Sequence, residues 1–203
     1  MSDRDIEKDR LHKQRMQRKK AVIDESIAKA NQDKGLLLVL TGNGKGKSSS
    51  AFGMAARALG HGMRVGVVQF IKSRTDTGEE AFFSIHPNME WHVLGDGFTW
   101  DTQDRAQDIA TAVKAWSVAQ RMLEDGRYDL VILDELTYLL NYAYLESQVV
   151  LDAINARPSM QHVVVTGRAA SPALRELADT VSEIRDEKHA YRAGIQAQKG
   201  IDL

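Results

Sequence analysis

The segment LLLVLTGNGKGKSSS, residues 36–50, decides the fold of this chain. An apolar run leads into a glycine-rich turn, and the turn closes with Gly46-Lys47-Ser48 before a helix-forming stretch. This order predicts a buried strand, then a loop whose backbone N–H groups point at an anion, then a helix with a positive N-terminal end. We therefore predict a phosphate-binding loop, with a nucleoside triphosphate as the first ligand to consider.

The loop departs from the usual spacing of phosphate loops. The usual pattern is Gly, four residues, then Gly-Lys and Ser or Thr. Here Thr41 holds the first position and the glycine is displaced to Gly42. An ordinary strand–helix turn without a ligand is the alternative. A dinucleotide fingerprint is excluded, because Lys47 stands where its third glycine belongs.

The loop residues have distinct predicted roles. Lys47 supplies a positive charge to the phosphates, and Ser48 supplies a hydroxyl to Mg²⁺. The second lysine, Lys45, can assist with the phosphates. The residues that we predict to contact ATP are Thr41, Gly42, Asn43, Gly44, Lys45, Gly46, Lys47, Ser48 and Ser49.

Composition describes one ordinary globular domain. The chain has 203 residues, of which 43% are apolar and 27% charged, enough for a full core. Its formal net charge of -1 does not call for nucleic acid as a partner. It has no cysteine, which excludes disulfides, thiolate metal sites and cysteine nucleophiles. The sequence shows no secretory signal and no apolar run of membrane-spanning length, so we expect a cytoplasmic protein with no membrane partner.

The N-terminal residues differ in character from the rest. Residues 1–34 are rich in charged side chains, contain no glycine or proline, and include a basic cluster between Arg15 and Lys20. We predict a helical, partly mobile arm over 1–34, followed by a single α/β domain over 35–203. A solvated helix face, a contact with nucleic acid and a lid over a substrate are three uses that this composition leaves open.

Strand and helix patterns alternate from residue 35 onward. The predicted strands are 36–40, 64–71, 91–94, 129–135, 162–166 and 180–184, and the predicted helices are 48–60, 104–124, 136–156 and 171–178. This alternation predicts a phosphate-loop nucleotide-binding α/β fold, with a mostly parallel sheet and helices on both faces. Ligands of such folds bind at the carboxyl ends of the strands. Trp116 and Val113 fall on the apolar stripe of the helix over 104–124, which predicts that they belong to the core.

Two acidic residues, Asp134 and Glu135, follow directly after a buried apolar strand. An acidic side chain in this position holds Mg²⁺ directly or through water in phosphate-loop proteins. A surface acidic pair at a strand end is the alternative. Together with the loop, the pair indicates an ATP or GTP protein, and the guanine-reading signature Asn-Lys-x-Asp is absent. A kinase, an ATPase and a less common transfer from ATP all remain open at this point.

Two further segments have an unusual composition. Phe98 and Trp100 stand in a loop flanked by glycines, which predicts either a loop anchored in the core or a flat apolar wall for a large planar ligand. The tail over 193–203 mixes glycine, amide and apolar residues. That mixture suits a segment folded along a site, or equally a frayed end.

Together these segments resemble the ATP:corrinoid adenosyltransferases of vitamin B12 synthesis and salvage. The resemblance covers nearly the whole chain from about Gly35. It rests on the loop 41–48, on Gly97-Phe98-Thr99-Trp100, on the strand that ends with Asp134-Glu135, on Val165-Thr166-Gly167-Arg168, and on the tail over 197–201. Ser48 stands where the family often has threonine, and the hydroxyl is kept.

The resemblance implies an enzyme that transfers the 5′-deoxyadenosyl group of ATP to the Co(I) of a corrinoid such as cobalamin and releases triphosphate. It implies that Lys47, Phe98 and Trp100 are catalytic, with the two aromatic rings packed under the corrin ring to exclude the lower axial ligand. It implies Mg²⁺ ligation by Ser48 and Glu135. It also implies a homodimer, a reductant such as a flavoprotein, and the N-terminal arm as a cover over the corrinoid.

Two other functions remain as alternatives. A phosphate-loop kinase or ATPase acting on another small molecule explains the loop and Glu135 but leaves the aromatic loop without a purpose. A nucleotide-dependent module that binds nucleic acid through the basic arm is the second alternative, and binding of DNA or RNA would then depend strongly on salt.

Overall fold

The computed structural model describes residues 3–71, 77–95 and 104–202. These residues divide between Asp33 and Lys34 into two compact units. The first unit contains helix α1 (Asp3–Lys29), whose side chains are exposed from Arg4 onward. Ion pairs between residues three or four positions apart, such as Arg10 with Glu7 at 2.6 Å, run along its surface. Such spacing places oppositely charged side chains on one helix face, which gives a modest local stabilisation.

In the described part of the second unit, a six-stranded parallel sheet forms the centre. Its strands are β1 (Leu37–Thr41), β2 (Val65–Gln69), β3 (Met89–Val93), β4 (Leu130–Asp134), β5 (His162–Thr166) and β6 (Thr180–Glu183). Their spatial order is β3-β2-β4-β5-β1-β6, and each neighbouring pair is parallel. The predicted parallel sheet is therefore confirmed.

Helices cover both faces of the sheet. They are α2 (Lys47–Gly60), α3 (Gly78–Phe83), α4 (Arg105–Glu124), α5 (Leu136–Asn141), α6 (Ser147–Asn155) and α7 (Pro172–Leu177), and a 3-10 helix follows at Ala190–Ala193. Buried residues of α2 and α3 pack in one cluster, and those of the helices from α4 to α7 pack in another. The predicted α/β fold with helices on both faces is confirmed. Among the described helices, none combines the length and apolar character needed to cross a membrane.

Side chains of the central strands alternate between the two clusters. On β4, Val131 and Leu133 pack with α4, whereas Leu130 and Ile132 pack with α2. Successive side chains of a strand point to opposite faces, so a strand buried on both faces needs apolar residues at every position. This explains the unbroken apolar runs in the sequence, and it leaves the polar residues at the strand ends to form the site.

The structure differs from the sequence predictions at two helices. The predicted helical region over 136–156 is interrupted between α5 and α6, where Ala143 adopts the left-handed region with φ 51. Helix α3 was not predicted, because it has only six residues and lacks a recognisable apolar period. Thr77 caps it by accepting the N–H of Glu80.

Helix α4 buries only part of its predicted apolar stripe. Trp116 is buried, with 6% of the residue exposed, as predicted. Val113 is 53% exposed, so its predicted burial is wrong. Buried alanines such as Ala112 and Ala115 bring the helix close to the sheet and rotate Val113 away from it. Small residues thus define the buried face of this helix as much as large ones do.

We expect Leu123→Ala to lower the free energy of unfolding by about 2–5 kcal/mol, because this 1% exposed side chain would leave a cavity in the core. Val113→Ala, on the same helix, is the matched control and should cost less than about 0.5 kcal/mol. Urea unfolding followed by circular dichroism measures both. An equal loss in the two variants would contradict the orientation of α4.

Candidate active site

The glycine-rich loop lies between β1 and α2 at the carboxyl edge of the sheet. Gly42 and Gly46 adopt φ angles of 99 and 119, in the left-handed region that favours glycine. The N–H of Gly44 donates to the carbonyl of Ile184 at 2.8 Å, and a Cβ at position 44 would clash with the carbonyl of Arg185. The chain that follows β6 therefore fixes the loop and requires glycine at position 44.

Lys47 is the first residue of α2, and its side chain is largely buried, with 7% of the residue exposed. Its Nζ donates to the carbonyl of Gly44 at 2.8 Å, so the ammonium folds back over the loop. Burial lowers the pKa of this ammonium, the Glu135 carboxylate opposes that change, and Arg168 adds to it. The first turn of α2 carries no acidic residue, so its positive end is not neutralised from within the helix.

Asp134 and Glu135 occupy different environments although they are adjacent. Asp134 is fully buried, and its carboxylate accepts hydrogen bonds from Thr166 Oγ1 at 2.7 Å and Gln69 Nε2 at 2.9 Å. Glu135 leaves the strand in the left-handed region, with φ 62, and its side chain lines a cleft. Its backbone N–H donates to Thr166 Oγ1 at 2.9 Å. The left-handed turn therefore separates the two acids, one inside the sheet and one facing the cleft.

The loop after β5 is hydrogen-bonded to β1 and lies close to Glu135. Gly167 has φ 137, and a Cβ there would clash with Thr137 Oγ1 and lie 3.3 Å from the nearer Glu135 oxygen. Thr41 is fully buried, and its Oγ1 accepts the N–H of Ala170 at 3.1 Å. The side chain of Thr41 thus holds the neighbouring loop in place.

These elements surround a cleft of about 500 Å³. That volume lies within the range of small-molecule sites. Its lining residues come from the loop, from α3, from the ends of β4 and β5, and from the C-terminal segment: Asn43, Gly44, Lys45, Gly46, Lys47, Ser48, Ser49, Glu79, Glu135, Arg168, Asp186, His189, Tyr191, Arg192, Ile201 and Asp202. Thr41 and Gly42 are not among them, although we predicted ATP contacts for both. Seven of the nine predicted loop residues therefore lie together with Glu135.

The C-terminal segment forms one wall of the cleft. Lys45 Nζ pairs with Asp202 at 2.7 Å, and Arg192 pairs with Asp186. Sequence reasoning assigned no role to Arg192 and did not single out Asp186 or Asp202. Asp202 belongs to the tail whose composition left open a segment folded along a site. No local pattern marks Asp186 or Arg192, because they reach the loop only through the return of the chain past β6.

The predicted aromatic wall falls on Phe98 and Trp100, which lie outside the described residues. Gly95 is the last described residue before them and packs against the backbone of Ile71. The roles of the two aromatic residues stay predictions.

Comparison with protein families and relatives extends over almost the whole chain. Residues 33–203 match the family model described as ATP:corrinoid adenosyltransferase BtuR/CobO/CobP, and residues 1–27 match a model described as Cob(I)alamin adenosyltransferase N terminal. The corrinoid adenosyltransferase of Pseudomonas aeruginosa is 61% identical over 198 residues, which cover 97% of this chain and 98% of the relative. That of Escherichia coli K12 is 50% identical over 194 residues, covering 96% and 98%.

More distant likenesses were also found. A corrinoid adenosyltransferase of Sinorhizobium sp is 44% identical over 198 residues, covering 96% of this chain and 92% of the relative. Among solved structures, domain III of the Thermotoga maritima replication initiation protein DnaA has a TM-score of 0.40 at 10% identity, over 78% of this chain and 58% of that chain. This last likeness is too low to bear on fold or function.

We expect Gly44→Ala to weaken ATP binding about tenfold or more. The new Cβ would displace the loop from the Arg185 carbonyl, and such overpacking costs about 1–3 kcal/mol. Gly53→Ala, in α2, is the matched control, because a Cβ there meets no atom within 4 Å. Titration calorimetry with ATP measures both affinities. Equal ATP affinity in the two variants would show that binding does not depend on the position of the loop backbone.

Proposed function

The chain belongs to the ATP:corrinoid adenosyltransferase family, and we propose that the cleft beside the loop 41–48 is where it transfers the 5′-deoxyadenosyl group of ATP to the Co(I) of a corrinoid. The observation that carries this assignment is that Lys47, Ser48 and Glu135 line one cleft at the carboxyl edge of the sheet. The corrinoid adenosyltransferase relatives give no support to a kinase or ATPase acting on another small molecule.

The chemistry determines what the protein has to supply. Co(I) attacks the C5′ carbon of the ribose, the C5′–O bond breaks, and the triphosphate leaves with the bonding electrons. The nucleophile is the metal of the substrate, so no side chain has to remove a proton. The demand on the protein is to stabilise the negative charge that grows on the leaving triphosphate.

Lys47 and the N-terminal end of α2 are suited to this demand. The Lys47 ammonium is already held over the loop by the Gly44 carbonyl, so it needs little reorganisation when ATP binds. Its burial strengthens its interaction with an anion, because the charge is poorly solvated. These features of the cleft suit the departure of a triphosphate. Release of triphosphate is what distinguishes this reaction from phosphoryl transfer, in which the attack falls on phosphorus.

Ser48 and Glu135 are our proposed ligands for Mg²⁺. Both side chains end in oxygen, as Mg²⁺ requires, and both residues line the cleft. Mg²⁺ commonly takes one or two carboxylates together with substrate phosphates, which fits this small donor set. The glycine at position 167 agrees with a ligand role for Glu135. A Cβ at this position would lie only 3.3 Å from a Glu135 oxygen, and a larger side chain would crowd the carboxylate. When bound, the ion would neutralise charge on the triphosphate.

Phe98 and Trp100 are our proposed contacts to the lower face of the corrin ring. An apolar face offers cobalt no donor atom, which disfavours a lower axial ligand and eases the reduction of Co(II) to Co(I). The homodimer, the flavoprotein reductant and the covering role of the N-terminal arm are further expectations from the resemblance, and the cytoplasmic location is an expectation from the sequence. Sedimentation analysis of the full chain tests the dimer.

Product identity tests the proposed function directly. The full chain is incubated with ATP, Mg²⁺ and chemically reduced cobalamin, and the products are followed by phosphorus NMR. We expect one triphosphate for each adenosylated cobalamin. Formation of ADP would instead favour a kinase or ATPase.

We expect Lys47→Ala to lower turnover with preformed Co(I) by about 100-fold or more, because the leaving triphosphate loses a fixed charge. Lys45→Ala is the matched control in the same loop. Lys45 is exposed and paired with Asp202, so its loss should cost about tenfold or less. Initial rates measure both effects. Unchanged turnover in Lys47→Ala would remove this lysine from the mechanism.

We expect Phe98→Ala and Trp100→Ala to impair the reaction that starts from Co(II) by at least about tenfold more than the reaction given preformed Co(I). The reason is that an apolar wall against the corrin ring acts on cobalt reduction and not on the attack at C5′. Paired assays with and without a chemical reductant measure the difference. The same loss in both assays would contradict the wall.

A further inference from the structure

A row of buried polar side chains joins three neighbouring strands at the carboxyl edge of the sheet. Gln69 on β2, Asp134 on β4 and Thr166 on β5 are 1%, 0% and 0% exposed. Gln69 Nε2 donates to one oxygen of Asp134 at 2.9 Å, and Thr166 Oγ1 donates to the other at 2.7 Å. Each residue lies two positions beyond an apolar residue of the α2 cluster, so all three point to the face that carries α2.

The two ends of this row are groups that can only donate. At one end, Trp91 Nε1 donates to Gln69 Oε1 at 3.2 Å. At the other end, the backbone N–H of Glu135 donates to Thr166 Oγ1 at 2.9 Å. Neither an indole N–H nor a backbone N–H can accept a hydrogen bond. The Trp91 ring is held in place by packing against Phe52 at 4.9 Å and Phe83 at 6.0 Å between ring centroids.

Fixed donors at both ends determine the direction of every hydrogen bond in between. Gln69 must turn its carbonyl oxygen toward Trp91, which leaves its NH₂ group facing Asp134. Thr166 Oγ1 accepts from Glu135, and a carboxylate can only accept, so the single hydroxyl proton of Thr166 is donated to Asp134. Two donors therefore meet at Asp134, and a carboxylate offers each of them its own acceptor oxygen, whereas an amide has only one.

The end of the row lies at a backbone position that needs support. Glu135 has φ 62 and ψ 24, a left-handed conformation that is unfavourable for a residue other than glycine. Such a conformation persists only where the surroundings determine it. The hydrogen bond from Glu135 N–H to the buried, oriented hydroxyl of Thr166 supplies such a constraint, and this conformation separates the Glu135 side chain from the sheet.

We propose that Asp134 is a positioning residue: its carboxylate orients Thr166, which holds the Glu135 backbone so that the Glu135 side chain faces the cleft. Asp134 does not itself bind the ion, and the resemblance likewise implied Glu135, and not Asp134, as the acidic ligand. The inference rests on the proposed role of Glu135 as a Mg²⁺ ligand. It assigns to Gln69, Thr166 and Trp91 a function that the motif Asp134-Glu135 does not indicate.

Asp134→Asn tests the direction argument. Asparagine offers one acceptor oxygen and one NH₂ group. With its NH₂ toward Gln69 it sets a donor against a donor, and with its NH₂ toward Thr166 it leaves the buried Thr166 hydroxyl proton without the acceptor that Asp134 provides. We expect the ATP affinity measured in Mg²⁺ to fall about 10- to 100-fold, as for other residues that orient metal ligands. The ATP affinity measured in EDTA should change less than about threefold, because the loop and Lys47 are untouched. Titration calorimetry on the full chain gives both values.

The double variant Asp134→Asn/Trp91→Phe tells positioning from ion binding. Phenylalanine removes the fixed donor, so the Gln69 amide can reverse and accept from the asparagine NH₂, while the asparagine oxygen accepts from Thr166. We expect most of the lost Mg²⁺-dependent affinity to return, with Trp91→Phe alone as the background. If the double variant binds as poorly as Asp134→Asn, the charge of Asp134 is needed at the ion and the proposal is overturned. Wild-type binding by Asp134→Asn also overturns it.

If the Asp134→Asn variants do not fold, two variants of Thr166 test the same proposal. Thr166→Val removes the hydroxyl and should lower the Mg²⁺-dependent ATP affinity like Asp134→Asn, whereas Thr166→Ser restores the hydroxyl and the affinity. Equal affinities of the valine and serine variants overturn the proposal. Glu135→Gln separates it from the proposed function. If Glu135→Gln keeps the wild-type affinity in Mg²⁺, Glu135 is not a ligand and the proposed metal site itself fails.

Discussion

The burial of the Lys47 ammonium is the constraint around which the rest of the site is arranged. A charge removed from water is costly unless partners are fixed nearby. Here the partners are the Gly44 carbonyl at 2.8 Å and the carboxylate of Glu135. The first partner requires the loop to fold back on itself, which its glycines permit. The second requires β4 to end at the same edge of the sheet as the loop after β1, which the parallel direction of β4, β5 and β1 provides. A bound triphosphate would complete this environment and account for the cost of the buried charge.

The same edge of the sheet gives two adjacent acids separate tasks. In a continuing strand, Asp134 and Glu135 would point to opposite faces. The left-handed turn at Glu135 instead leaves Asp134 among the strands and directs Glu135 to the cleft. In this chain the neighbouring strands therefore do more than pack, since β2 and β5 supply the hydrogen-bond partners of Asp134.

Local patterns in the sequence predict those parts of the fold that local physics controls. The strand His162–Thr166 has the bounds predicted for it, because a β-branched run ends at Gly167, and Ser171 caps α7 by accepting the N–H of Leu174 at 3.2 Å. The composition of the tail over 193–203 left open a segment folded along a site or a frayed end, and the individual contacts of the cleft wall were not predictable from it. Contacts such as Lys45 with Asp202 join residues far apart in the chain, and Gln69 looks like any strand-terminal glutamine until β4 is placed beside it.

Formation of a bond between cobalt and C5′ is the central claim, and isotope labelling observes it most directly. The full chain is incubated anaerobically with Co(I) cobalamin, Mg²⁺ and ATP carrying ¹³C at C5′. We predict that the labelled carbon resonance moves to that of a cobalt-bound methylene as the Co(I) absorbance disappears. A label that stays on an ordinary nucleotide while the Co(I) absorbance persists would contradict the account.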